Sequence, residues 1–166
     1  GDSPNYLVLD CEVAPNAEAG KYSIVFKKGD KTVASYDYEL LARNPQQVKA
    51  QGVNSSDFIY LLMPDRFANG NPANDVVKGM RETDLQRDSM YYRHGGDLEG
   101  VIKNLDYLED LGVTALWMTP VLTNDMPKAS YHGYANTENY HIDPRFGSNE
   151  TYKALGAALH QRNMKL

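Results

Sequence analysis

The sequence predicts two unlike parts in series. An N-terminal run of antiparallel strands, too few to close a β-sandwich, precedes an α/β part that reads β-α-β-α and enters a third strand. Three observations predict this. Apolar residues alternate with polar ones through the first 42 residues, the period of a half-buried strand. Continuous apolar runs then alternate with helical stripes from residue 57 onward. The polar stretch 44–56, with Pro45 and Gly52, separates the two patterns as a linker.

The first strand is read from Leu7, Leu9, Cys11 and Val13, whose alternation makes Cys11 a buried strand residue. A second carries Tyr22, Ile24 and Phe26, and a third Ala34, Tyr36, Tyr38 and Leu40. Lys28-Gly29-Asp30-Lys31 between them is hairpin chemistry. A complete sandwich uses about seven strands, so residues 1–43 read as half of one.

In the second part, Phe58–Met63 is apolar throughout, as expected of a parallel strand buried on both faces. Asp97 suits the cap of a helix whose stripe runs Leu98, Val101, Ile102, Leu105, Leu108 and Leu111, with Gly112 as its stop. Val113–Met118 reads as the next strand. A helix from about Ser148 buries Tyr152, Leu155 and Leu159, and Asn163 suits its C-terminal cap. Met164–Leu166 begins a third strand. A (β/α)8 barrel takes roughly 250 residues, so the order reads as a barrel or a doubly wound sheet truncated, like the sandwich, at its outer end.

Composition excludes several classes of function. The net charge is −5 and Lys and Arg are scattered, which removes the basic face a nucleic-acid partner needs. The longest apolar run is too short to span a bilayer. One cysteine in 166 residues excludes an internal disulfide and a cysteine metal site. No HExxH, GxxxxGK[ST] or GxSxG pattern occurs. His94 and His160 stand alone and read as structural.

Chemistry concentrates in the two strand-to-helix connections, 64–96 and 119–147, where compact α/β units use about 2–6 residues. Both leave the C-terminal ends of strands, the face on which barrel enzymes build sites. The first holds Asn69, Asn71, Asn74 and Asp75 and closes on Gly95-Gly96-Asp97. These side chains offer hard oxygen donors of the kind calcium takes, and they equally suit plain turn chemistry. The second holds Tyr131-His132-Gly133-Tyr134. Aromatic faces stack on pyranose C–H groups and an imidazole hydrogen-bonds a hydroxyl, so the cluster suits a sugar, while ordinary loop packing is the plainer reading. Tyr140–Gly147 reads as structural, with Ile142 and Phe146 pinning the loop and Asp143 accepting backbone N–H groups. No Asp/Glu pair is placed for glycoside hydrolysis, which needs two carboxylates flanking the bond.

Taken together, IYLLMPDRFANGNPAND, RHGGDLEGVIKNLDYLEDLGVTALWMTPV, YHGYANTENYHIDPRFGS and ALGAALHQRNMKL resemble the opening of the α-amylase barrel (glycoside hydrolase family 13). The likeness spans nearly all of 57–166 and is strongest to cyclomaltodextrinases, neopullulanases and maltogenic amylases. Residues 5–43 resemble the second half of the immunoglobulin-like domain that precedes the barrel in that group. The resemblance implies a partial immunoglobulin-like β-sandwich over 1–43, a linker over 44–56 and the first units of a TIM (β/α)8 barrel over 57–166. It implies a calcium site at Asn69, Asn71, Asn74, Asp75, the Gly95 carbonyl and Asp97. Asn71 departs from the Asp that members often carry, which removes a negative charge. It implies that Tyr134 stacks on the sugar beside the scissile bond, that His132 hydrogen-bonds that sugar, and that Asp65-Arg66-Phe67 ties the first strand to neighbouring loops.

In this family the nucleophile, the acid/base and the stabilising carboxylate follow the fourth, fifth and seventh strands. The resemblance therefore implies no catalytic residue in this chain, which would be an inactive piece of a retaining hydrolase of α-1,4-glucosidic bonds in cyclodextrins, pullulan or maltooligosaccharides. A non-catalytic carbohydrate-binding or assembly module is the alternative. A homodimer and a periplasmic or secreted location, with the cytoplasm as the other possibility, are also implied.

Overall fold

The computed structural model describes residues 7–42 and 52–166. The chain divides into two compact units between Gln51 and Gly52. Most of the expected linker lies outside the described residues.

The first unit is an antiparallel hairpin of β1 (Gly20–Lys28) and β2 (Lys31–Leu40). Gly29 adopts φ +62°, the positive value a two-residue hairpin turn requires at its first position. Tyr22 faces Tyr38, Ile24 faces Tyr36 and Phe26 faces Ala34, so the anticipated apolar residues share one side of the sheet. The strand expected over Leu7–Val13 does not form, and Cys11 is exposed rather than buried. Alternation alone supplies no hydrogen-bond partner. Leu9, Cys11 and Val13 instead line a concavity against Tyr22, Ile24, Tyr36 and Tyr38 without joining the ladder.

The second unit holds β3 (Ile59–Leu62), α1 (Pro64–Phe67), α2 (Leu98–Lys103), α3 (Leu105–Asp110), β4 (Ala115–Met118) and α4 (Asn149–Gln161). Strands β3 and β4 pair in parallel with Ile59 beside Ala115 and Leu62 beside Met118. Lys165 forms a parallel bridge to Ala115, which places the chain's last residues as the next ribbon of the sheet. Leu62 and Leu116 are buried with Leu98, Val101, Leu105, Leu108, Phe146, Leu155, Leu159 and Met164 in one core. The other face of the pair is open, against the expectation of burial on both: Leu61 is 62% and Trp117 61% exposed. Alternate strand residues point to opposite faces, and helices cover only one of them.

The helix expected over 97–111 is broken at Asn104, whose backbone leaves the helical region at φ −114°, ψ 18°. Its side-chain amide donates to Gly100 O at 2.7 Å, a local bond that competes with the helical ladder. The apolar stripe nevertheless continues across the break, so the packing survives it.

The termini of α4 follow the sequence closely. Ser148 Oγ accepts Thr151 N at the start. At the end Asn163 is left-handed (φ 57°), with Met164 N bonded to Leu159 O and Asn163 N to His160 O, a Schellman motif.

Candidate functional site

The site is built from the two long loops that leave β3 and β4. Pro64 opens α1 immediately after β3, which sets Asp65 in the interior at 1% exposure. Its carboxylate accepts His94 N (2.9 Å) and Gly95 N (3.3 Å), so both ends of the first loop close on one side chain. Arg66 pairs with that carboxylate, donates to Met90 O at 2.7 Å and lies 4.2 Å over the Tyr131 ring. Asp65 and Arg66 thus tie the end of β3 to both loops.

The anticipated calcium residues fall in the same loop. Asn69 Nδ2 donates to Asp75 Oδ1 at 2.6 Å. Gly95 has φ +84°, and a Cβ built there would lie 2.7 Å from Asp75 Oδ1 and 3.0 Å from Asn69 Nδ2, so these three residues converge. Asn69 Oδ1 and Asn74 Oδ1 are buried and accept no hydrogen bond. An unsatisfied buried amide oxygen is costly unless something coordinates it. The other two residues are more fully engaged. Asn71 Oδ1 accepts Ala73 N (3.2 Å) and caps the short 3₁₀ turn Pro72–Asn74, while its Nδ2 donates to Glu99. Asp97 accepts Gly70 N, Asn71 N and Gly100 N at 3.0, 2.8 and 2.6 Å, which makes it the cap of α2 and an anchor for the loop.

Among the described residues, no cluster of three or more His, Cys, Asp or Glu could hold a metal. A cation here would rely on amide and carbonyl oxygens with one carboxylate, Asp75, which Asn69 Nδ2 engages through Oδ1. That is a donor set for a hard ion such as calcium.

The second loop presents Tyr131, His132 and Tyr134 around a 3₁₀ turn, Ser130–His132. Gly133 has φ +81°, and a side chain there would collide with the Pro120 carbonyl, so only glycine fits between the rings. Tyr134 N donates to His132 Nδ1 at 2.9 Å, which leaves the proton of the neutral ring on Nε2. The two ring centroids are 5.8 Å apart and tilted by 34°, and Tyr131 meets His132 edge-on at 5.4 Å. Tyr134 is 65% exposed. The rim therefore offers a free aromatic face beside an oriented N–H donor.

Beneath it lies an ionic cluster that the sequence did not announce. Arg145 and Asp143, both fully buried, form a bidentate pair at 2.9 and 2.7 Å. Burial opposes ionisation of Asp143, yet the Arg145 guanidinium and the N–H groups of Asn124 and Arg145 outweigh it, so the carboxyl lies below its ordinary value. Arg93 stacks 4.8 Å over Phe146. Burial, joined by the like charge of Arg145, holds its pKa down against the pull of Asp65, Asp143 and Glu82. Glu82 accepts Ala129 N (3.1 Å) and Ser130 N (2.7 Å). Asp143 accepts backbone N–H groups from Asn124 and Arg145, as the sequence predicts. No local signal in the sequence marks Glu82, Arg93 or Arg145 as buried.

His94 lies apart from the rim, its Nε2 2.9 Å from Ser89 O. Among the described residues, no helix is long and apolar enough to cross a membrane.

Comparison with known proteins agrees with this arrangement. The family model "Alpha amylase, catalytic domain" matches residues 59–166, and "Cyclomaltodextrinase, N-terminal" matches residues 1–44. The chain is 41% identical over 111 residues to neopullulanase 2 of Thermoactinomyces vulgaris, covering 65% of this chain and 18% of that protein. It is 30% identical over 172 residues to a Bacillus cyclomaltodextrinase, covering 95% of this chain and 30% of that protein. Among solved structures, an Anoxybacillus α-amylase aligns with a TM-score of 0.58 at 39% identity, over 66% of this chain and 22% of that one. The chain thus spans under a third of each of these relatives. With the first model matching well over half of its residues, the chain belongs to the α-amylase family of glycoside hydrolases, and its second unit matches that family's catalytic domain.

Proposed function

We propose that the chain forms part of a retaining hydrolase of α-1,4-glucosidic bonds in cyclodextrins, pullulan or maltooligosaccharides, and that it binds glucan without cleaving it. The observation that carries this reading is the rim at Tyr131–Tyr134. Tyr134 offers its exposed face to a pyranose ring, and His132, with Nδ1 occupied by Tyr134 N, directs Nε2–H to a sugar hydroxyl. The names of the relatives, neopullulanase and cyclomaltodextrinase, support this substrate class. In the same reading, β3 and β4 are the first two strands of a (β/α)8 barrel, and the hairpin belongs to an immunoglobulin-like sandwich.

The absence of turnover rests on the state of the carboxylates. Retaining hydrolysis needs a nucleophile and an acid/base about 5–5.5 Å apart and free to react. Among the described residues, the buried carboxylates are Asp65, Glu82, Asp97 and Asp143, and each already accepts backbone N–H or guanidinium donors. On this reading these four hold backbone and guanidinium groups rather than attack a sugar or donate a proton.

Calcium belongs to the same proposal. Asn69, Asn74, Asp75 and the Gly95 carbonyl would hold the ion, with Asn71 and Asp97 framing it through their backbone-capping bonds. Bound there, the ion supplies fixed positive charge that ties the first loop together. Calcium in hundredfold excess over its Kd stabilises the chain by about 2.7 kcal/mol, and Asp75→Asn abolishes the effect. Thermal midpoints of both forms with and without calcium decide this; equal shifts would count against Asp75 as a ligand.

We also propose that copies of the chain associate through their open apolar surface, since Leu61, Trp117 and Ile59 leave one sheet face uncovered.

The test of the main reading is an intact mass followed by cyclodextrin and pullulan hydrolysis on the same sample, with β-cyclodextrin titrated against the Tyr134 and His132 signals. A mass of 18.6 kDa, shifted signals and no sugar release are expected. Sugar release at that mass would overturn the assignment of the carboxylates, and unmoved signals would overturn the rim as a sugar contact.

A further inference from the structure

Glu82 is 6% exposed, comes from the first loop, and has no part in the sugar contacts proposed above. Its carboxylate reaches 47 residues along the chain to accept Ala129 N through Oε1 at 3.1 Å and Ser130 N through Oε2 at 2.7 Å. Ala129 is held at φ 58°, ψ 29°, a left-handed conformation in which its Cβ crowds the backbone. Ser130, the next residue, is fully buried, so water cannot satisfy its N–H if the carboxylate is removed. The strained residue stands immediately before the 3₁₀ turn that carries Tyr131 and His132, and the buried donor is the first residue of that turn.

The geometry points to Glu82 as the positioning residue for His132, acting through the left-handed Ala129 to set the turn and hence the direction of the imidazole. Glu82 is itself fixed, because Arg145 Nη1 donates to its carbonyl at 3.2 Å and the neighbouring Arg81 N donates to Asp125 Oδ1 at 2.7 Å. On the far side of the turn Arg93 Nη1 meets Ser130 Oγ at 3.3 Å, Asn124 Nδ2 meets Ser130 O at 3.3 Å, and Gly133 N closes on Ser130 O at 3.2 Å. These contacts grip Ser130, whereas Glu82 also restrains the strained residue before it. A carboxylate suits the task because both of its oxygens accept. Glutamine has nearly the same shape but only one accepting oxygen, and its NH₂ would oppose one of the two N–H groups.

The functional meaning of this role rests on the reading of His132 as a sugar contact, so the experiment separates the two. Long-range ¹H–¹⁵N spectra of the His132 ring are recorded for the full chain as wild type, Glu82→Gln, and Glu82→Gln with Ala129→Gly, before and after addition of β-cyclodextrin. In the wild type, Nδ1 appears as an unprotonated acceptor. Glu82→Gln moves the ring nitrogens towards tautomer averaging and weakens the cyclodextrin response about tenfold, the loss expected for one charge-assisted hydrogen bond. Ala129→Gly, which removes the Cβ penalty, restores the wild-type ring signature in that background.

A Glu82→Gln ring spectrum unchanged from wild type overturns the inference, and so does a double variant that folds without restoring it. Loss of the fold in both variants also overturns it, since Glu82 would then be a general support. A wild-type chain that ignores cyclodextrin sinks the sugar reading alone, because the ring spectrum still decides the role of Glu82.

Discussion

At the scale of single residues, the charged groups of the second unit act mainly as acceptors and clamps for backbone. Asp57 shows the pattern in its most measurable form. Its carboxylate takes Lys165 Nζ at 2.6 Å, Asn54 N at 2.8 Å and Thr114 Oγ1 at 2.9 Å, joining the start of β3 to the last residues of the chain. The bond to Lys165, helped by the Asn54 N–H, lowers its pKa from 3.8 to about 2. A carboxyl whose folded pKa is depressed contributes stability that is present above its unfolded value and lost as pH falls through the folded one. The chain should therefore lose stability between pH 4 and pH 2 partly through Asp57, and Asp143 acts in the same direction. Thermal midpoints of Asp57→Asn across that range should fall less steeply than those of the wild type. Parallel slopes would remove Asp57 from the acid response.

At the scale of elements, local signals decide where helices begin and stop, and packing decides how they continue. Ser148 occupies the cap position in front of α4, whose Leu155 and Leu159 are fully buried. Ser148→Ala should cost about 1 kcal/mol, read from the urea midpoint, because Thr151 N loses its acceptor near a solvated surface. A change within error would mean that water replaces the hydroxyl. Helices α2 and α3 teach the converse. Their shared stripe was legible as one helix, but Asn104 diverts its side chain onto Gly100 O, and a side-chain option of that kind is invisible in hydrophobic periodicity. The Leu7–Val13 segment failed for a related reason: its period is that of a strand, while strand formation also needs a ladder partner at the correct edge.

At the scale of the whole molecule, the feature that the proposed association rests on is the open sheet face of the second unit. Leu61 and Trp117 project from β3 and β4 on the side away from the core, and Trp117 shares one concavity with Ile59, Val53 and Leu166. An apolar surface of this kind favours association. Sedimentation of the purified chain should show a dimer, and Leu61→Lys should shift it to monomer with the hydrogen-bonded pairing of β3 and β4 intact. A wild-type chain that stays monomeric at all concentrations would refute association through this face.

The sequence by itself determined the β-α-β-α order of the second unit, the hairpin turn at Gly29-Asp30, the cap at Asp97, the start of α4 near Ser148, the left-handed stop at Asn163 and the two loops that carry the chemistry. Each of these rests on backbone preferences or hydrogen bonds made within a few residues, which a linear pattern records. It also marked Asn69, Asn71, Asn74, Asp75, Asp97 and the Tyr131–Tyr134 rim as candidates, because their residue types suit oxygen coordination and sugar stacking. Only the tertiary structure decided that Asp65 closes the first loop, that Asp143 and Arg145 are buried as a pair, and that Glu82 holds Ala129 from 47 residues away. A charged side chain looks the same in sequence whether it faces water or a buried N–H. The difference is a matter of desolvation and of which distant partner the fold delivers, and neither quantity is local.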